Sequence, residues 1–90
     1  MDDMNALRPH TLTLENRKKI SLNGITDVGS FNEESLFVMT EHGELSIRGN
    51  DIQITRLDLD IGEMTAEGVF DTFSYSDLRK KEKKSFFKGL

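Results

Sequence analysis

Apolar and polar residues alternate with period two along most of the chain from His10 to Tyr75, the pattern of strands with one face on a core and the other in water. Leu12 and Leu14 alternate with Thr11, Thr13 and Glu15; Ile20 and Leu22 with Lys19, Ser21 and Asn23; Leu45 and Ile47 with Glu44, Ser46 and Arg48. Ile52 and Ile54 follow, then Leu57, Leu59 and Ile61, then Phe73 and Tyr75. Turn-forming residues fall between these runs, at Asn16-Arg17, Asn23-Gly24, His42-Gly43, Gly49-Asn50-Asp51 and Ile61-Gly62. No helical stripe interrupts them. The pattern predicts a small all-β domain over 10–76, built from about seven or eight strands of ordinary length. A flexible N-terminus, 1–9, precedes it, and a basic, aromatic tail, 77–90, follows as disordered chain or as a short helix capped by Ser76 or Asp77.

A short motif recurs within the alternation. Ile20-Ser21-Leu22-Asn23-Gly24, Leu45-Ser46-Ile47-Arg48-Gly49 and Met64-Thr65-Ala66-Glu67-Gly68 all read apolar, hydroxyl, apolar, polar, glycine. After each glycine the apolar positions change parity: to Ile25, to Ile52 and Ile54, and to Val69, Phe73 and Tyr75. A one-residue slip moves every following side chain to the other face, so a bulge, corner or turn is expected at Gly24, Gly49 and Gly68. These glycines are therefore read as structural, with Gly49 a candidate for positive φ. Thr55-Arg56 marks another slip. Strands that bend at such corners imply a meander closing into a roll, a barrel or a coiled sandwich. The spacing of the glycines is too unequal for a solenoid.

Charge divides the chain in two. Of the net −4, the last twelve residues carry +5, from Arg79, Lys80, Lys81, Lys83, Lys84 and Lys88 against Glu82, which leaves −9 on residues 1–78. An acidic body argues against nucleic acid as a partner, because neutralising phosphates requires a basic face. The tail, ending Ser85-Phe86-Phe87-Lys88-Gly89-Leu90, mixes cations with large apolar groups in a way that suits an anionic membrane surface or an acidic partner as well as a solvated terminus. No apolar run approaches the ~18 residues of a spanning helix, and the acidic start does not resemble a signal peptide.

Reactive chemistry is scarce. Cysteine is absent, which removes disulfides, thiolate metal sites and thiol nucleophiles. His10 and His42 are the only histidines, and Glu41-His42-Gly43-Glu44 is explained more simply as a hairpin turn than as a metal site. Asp58-Leu59-Asp60-Ile61-Gly62-Glu63 faintly echoes a calcium loop, but its alternation fits a strand entering a turn. No nucleophile elbow or phosphate-binding glycine loop is present. No enzyme, cofactor or metal is therefore expected. Core packing accounts for Phe31, Phe73 and Tyr75, whereas Phe37 and Phe70 oppose the parity of their apolar neighbours. Leu36-Phe37-Val38-Met39 is apolar on both faces, as in a strand covered on both sides by a second layer or another subunit, so self-association is expected. An oligonucleotide-binding-type barrel and a ligand-binding β-domain are the alternatives.

The run His10-Thr11-Leu12-Thr13-Leu14-Glu15-Asn16-Arg17-Lys18, followed by Gly24, Val28 and Ser30-Phe31, then Gly43-Glu44-Leu45-Ser46-Ile47-Arg48-Gly49, then Leu57, Gly62, Gly68 and Tyr75, resembles the YabP/YqfC family of sporulation proteins. The opening is similar to the YabP branch. The aromatic, basic end also resembles the family's, although the family commonly closes with a further Leu-Phe-like pair where this chain has Gly89-Leu90. The resemblance implies a non-enzymatic protein of the mother-cell cytoplasm, needed for the cortex and coat layers, whose partners are other sporulation proteins at the forespore surface. It brings no catalytic residues. Asn16, Arg17 and Lys18, the most recognisable stretch, are the candidate interaction patch, joined by Lys80, Lys81, Lys83, Lys84, Phe86 and Phe87 of the tail for peripheral membrane contact.

Overall fold

A computed structural model of the chain describes residues 8–77. Six strands, β1 (Thr11–Glu15), β2 (Lys19–Asn23), β3 (Ile25–Phe31), β4 (Ser35–Thr40), β5 (Gly43–Asp58) and β6 (Glu63–Ser76), form one open antiparallel sheet in the order β1-β2-β6-β5-β4-β3. The fold is all-β, and no helix among the described residues is long and apolar enough to cross a membrane.

The strand count is lower than the alternation suggests, because three expected strands merge. Gly49, Asn50 and Asp51 do not turn the chain. They form an irregular stretch inside β5, which runs on through Thr55-Arg56 to Asp58. The register of β5 against β6 shifts between Arg48 and Gly49, between Asn50 and Gln53, and between Ile54 and Arg56. The second and third absorb the parity changes expected at Gly49 and Thr55-Arg56 and bend β5, while the first leaves Asp71 of β6 as the extra residue, so the change expected at Gly68 falls there instead.

The long β5–β6 ribbon organises everything else. β2 pairs with its first stretch of β6, Met64 to Glu67, and β4 pairs with its first stretch of β5, Gly43 to Arg48. Each of these inner strands carries one further partner, β1 or β3. The two hairpins are thus attached to opposite flanks and opposite halves of the ribbon, in an approximate two-fold arrangement. Coiling brings the inner faces of both halves together. Ile20, Leu22, Met64 and Ala66 from one half share a single buried cluster with Leu36, Val38, Leu45 and Ile47 from the other, completed by Ile25, Ile52 and Phe70. Burial of side chains of this size contributes about 1.5–3 kcal/mol each.

Two glycines permit the bend. Both lie near the middle of the ribbon, Gly49 opposite Phe70 and Gly68 in the register shift between Asn50↔Val69 and Gln53↔Glu67. A Cβ on Gly49 would overlap the Val69 carbonyl oxygen, and one on Gly68 would lie 2.9 Å from the carbonyl oxygens of both Asn50 and Asp51. Gly68 has φ 153°. The positive φ expected of Gly49 belongs instead to Asp51, at 55°; close backbone approach is what excludes a side chain from Gly49. Gly24 makes the corner between β2 and β3 with φ 71°, packed against the Pro9 carbonyl.

The aromatic residues redistribute relative to expectation. Phe70 is in the core, while Phe31 and Tyr75 are 45% and 51% exposed. The reason is the slip between Arg48↔Thr72 and Gly49↔Phe70, which turns Phe70 inward and leaves Val69 exposed. Phe31 lies at the end of an edge strand. Leu57, Leu59 and Ile61, an inward set by alternation, are also exposed, because they occupy the ribbon tip.

Candidate interaction surface

The first candidate patch is the β1–β2 turn. Asn16 and Arg17 have φ 50° and 59°, the pair of positive φ values that an I′ turn requires, and the Lys18 N–H donates to the Glu15 carbonyl at 2.8 Å. Asparagine tolerates this conformation better than most side chains. Arg17 is held there by long-range contacts: its Nε donates to the Phe70 carbonyl at 3.0 Å, and a terminal nitrogen pairs with Asp71 at 2.7 Å. Its backbone carbonyl accepts from Phe70 N–H, and that of Lys18 accepts from Gly68 N–H. The turn therefore seals the bend of β6. Asn16, Arg17 and Lys18 are all exposed. Lys19 lies opposite Glu15 on β1 and Glu67 on β6.

The β3–β4 turn seals β5 in the same manner. Glu34 carbonyl accepts from Gly49 N–H at 3.1 Å and Glu33 carbonyl from Ile52 N–H at 2.9 Å. Asn32 organises this turn from within, its Oδ1 accepting from the N–H groups of Glu34 and Ser35.

A third cluster unites residues distant in sequence at the end of the molecule where the ribbon begins and ends. His10 Nδ1 donates to the Asn23 carbonyl at 2.9 Å; with that nitrogen carrying the hydrogen, Nε2 of the neutral ring accepts from the Tyr75 hydroxyl at 2.7 Å. His42, in the expected turn between β4 and β5, stacks beside His10 and donates from Nε2 to the Arg8 carbonyl. Arg8 N–H in turn reaches Glu41. Desolvation raises the Tyr75 phenol above its ordinary pKa of 10.0. Residues 8–10 are thereby strapped across the corner at Gly24. Sequence spacing contains no signal for this cluster, since its members meet only through the topology. No group of three metal-binding side chains comes together among the described residues.

Two further features of the surface bear on contact. On β4, Leu36 and Val38 enter the core while Phe37 and Met39 lie half-buried on the other face. At the sheet edges, β3 is irregular, with register shifts on either side of Asp27 and Val28, whereas β1 is regular. Irregularity protects an edge from strand addition; β1 lacks it. The tail candidates Lys80, Lys81, Lys83, Lys84, Phe86 and Phe87 lie outside the described residues.

The described residues thus form a coiled antiparallel domain whose polar side chains serve turns and straps and which has two edge strands and a half-buried apolar face on β4. The chain belongs to the YabP family, whose sequence pattern matches residues 6–82. It is similar to spore protein YabP of Bacillus subtilis (strain 168), with 33% identity over 82 residues that cover 90% of this chain and 82% of that protein. The family is one of sporulation proteins and is not a known enzyme family.

Proposed function

We propose that this protein is a non-enzymatic component of spore assembly, acting on cortex and coat formation from the mother-cell cytoplasm at the forespore surface. It works by protein–protein contact, with itself and with other sporulation proteins, and its basic, aromatic tail touches the anionic membrane surface. The observation that carries this reading is β4, whose core residues Leu36 and Val38 alternate with the half-buried outward pair Phe37 and Met39. A strand apolar on both faces is suited to docking. Kinship to a spore protein supports the link to sporulation.

A fluorescent fusion imaged in sporulating cells from engulfment onward tests the setting: a shell or cap around the forespore is expected, and diffuse mother-cell signal contradicts it. Light scattering coupled to size exclusion tests self-association, which a strict monomer at high concentration removes.

A further inference from the structure

The two ends of the β5–β6 ribbon, far apart along it, are linked across the sheet through β3 and β4. Ile25 donates its N–H to Gly62 at the ribbon tip and pairs with Thr40; Thr40 pairs with Gly43, and Gly43 packs against Ser76 where β6 ends. Four strand-to-strand steps of about 5 Å separate the tip from the point where the tail departs, roughly 20 Å.

That tip is unusual in composition. Leu57, Leu59 and Ile61 are 44%, 40% and 52% exposed, and they alternate with Asp58, Asp60 and, after Gly62, Glu63. Asp58 and Glu63 stand directly opposite each other, a like-charge pair that destabilises a hairpin end. Two cations are near: Arg56, 4.0 Å from Glu63, and Arg8, whose guanidinium lies at Gly62. Asp58 also holds the turn by accepting from Asp60 and Ile61 N–H groups.

The thirteen residues 78–90 carry the complementary pattern, basic at Arg79, Lys80, Lys81, Lys83, Lys84 and Lys88 and apolar at Phe86, Phe87 and Leu90. Extended, they span up to about 45 Å, at no more than 3.6 Å per residue, which exceeds the distance to the tip. We propose that the tail of this chain docks on its own β5–β6 tip, its cations among Asp58, Asp60 and Glu63 and its apolar groups against Leu57, Leu59 and Ile61. Docking covers the exposed apolar row and relieves the repulsion between Asp58 and Glu63. It goes beyond the proposed function and does not rest on it, because it concerns the free protein; a tail held this way is withheld from other surfaces until something competes for it.

The chain has no cysteine, so Ser85→Cys in the full-length protein accepts a single nitroxide label. Amide signals of residues 57–63 are expected to be selectively lost through paramagnetic broadening, while those of the β1–β2 turn persist. Salt near 1 M, where the screening length is about 3 Å, restores them. So does Asp60→Lys combined with Ile61→Ser, whose retained fold is checked by the unchanged amide spectrum of β2, β4 and β6. Broadening absent from the tip, or persisting in that variant, overturns the proposal. Broadening seen only when spin label and isotope are on different molecules also overturns it, by making a second copy the occupant.

Discussion

The two hairpin turns perform the same task by different means. Each lays two backbone carbonyls on N–H groups at the bend of the central ribbon, Arg17 and Lys18 on Phe70 and Gly68, Glu33 and Glu34 on Ile52 and Gly49. The β1–β2 turn adds a long-range clamp, because Arg17 reaches Phe70 and Asp71. The β3–β4 turn keeps its side-chain bonding local, with Asn32 serving its own turn. One tip is fastened to the ribbon by side chain and backbone, the other by backbone alone. An unpaired backbone polar group away from water is costly, so a strand that bends away from its neighbour needs a substitute partner; both tips supply it, at equivalent positions of the approximate two-fold.

The largest effect that breaks this equivalence is at the glycines. Gly49→Val and Gly68→Val each place a Cβ against backbone that cannot yield, and each is expected to lower unfolding free energy by on the order of 3 kcal/mol in urea titration. Unchanged stability would remove the close approach. Next, Arg17→Ala loses the clamp; the side chain is largely exposed, so the cost is about 1 kcal/mol. Asn32→Ala at the other tip also costs about 1 kcal/mol, but it should quicken amide exchange only at Glu34 and Ser35, whereas Arg17→Ala should quicken it at Gly68 and Phe70.

The smallest effect concerns pH. Burial raises the Tyr75 phenol in the folded state, so above its ordinary value of 10.0 the unfolded chain loses this proton first. Stability falls as pH rises from there to the raised folded value, and below that window the group contributes nothing pH-dependent. Tyr75→Phe is expected to flatten this alkaline slope in thermal melts.

The parity changes at Gly24, Gly49 and Thr55-Arg56 were legible because a buried face records every slip of a period-two pattern; the change expected at Gly68 falls instead at Asp71, since Met64, Ala66 and Phe70 all point inward. Whether a slip is a turn or a bulge was not, since Gly49-Asn50-Asp51 has the same composition either way; β5 continues through it. Phe70 was unreadable for the same reason, as the slip comes only after it, at Asp71, and sets the odd parity of Phe73 and Tyr75. The candidate patch was legible as a turn at Asn16-Arg17, yet Arg17's partners lie more than fifty positions away, beyond any local pattern. The strap of His10, His42 and Tyr75 was hidden likewise.

Hydrogen exchange at the Gly49, Ile52, Gly68 and Phe70 amides tests most directly whether the two turns close the coiled ribbon. Protection comparable to the amides of Leu22 and Val38, at all four positions, is the predicted result. Exchange at the rate of an open loop would contradict it, leaving a ribbon that bends without being held.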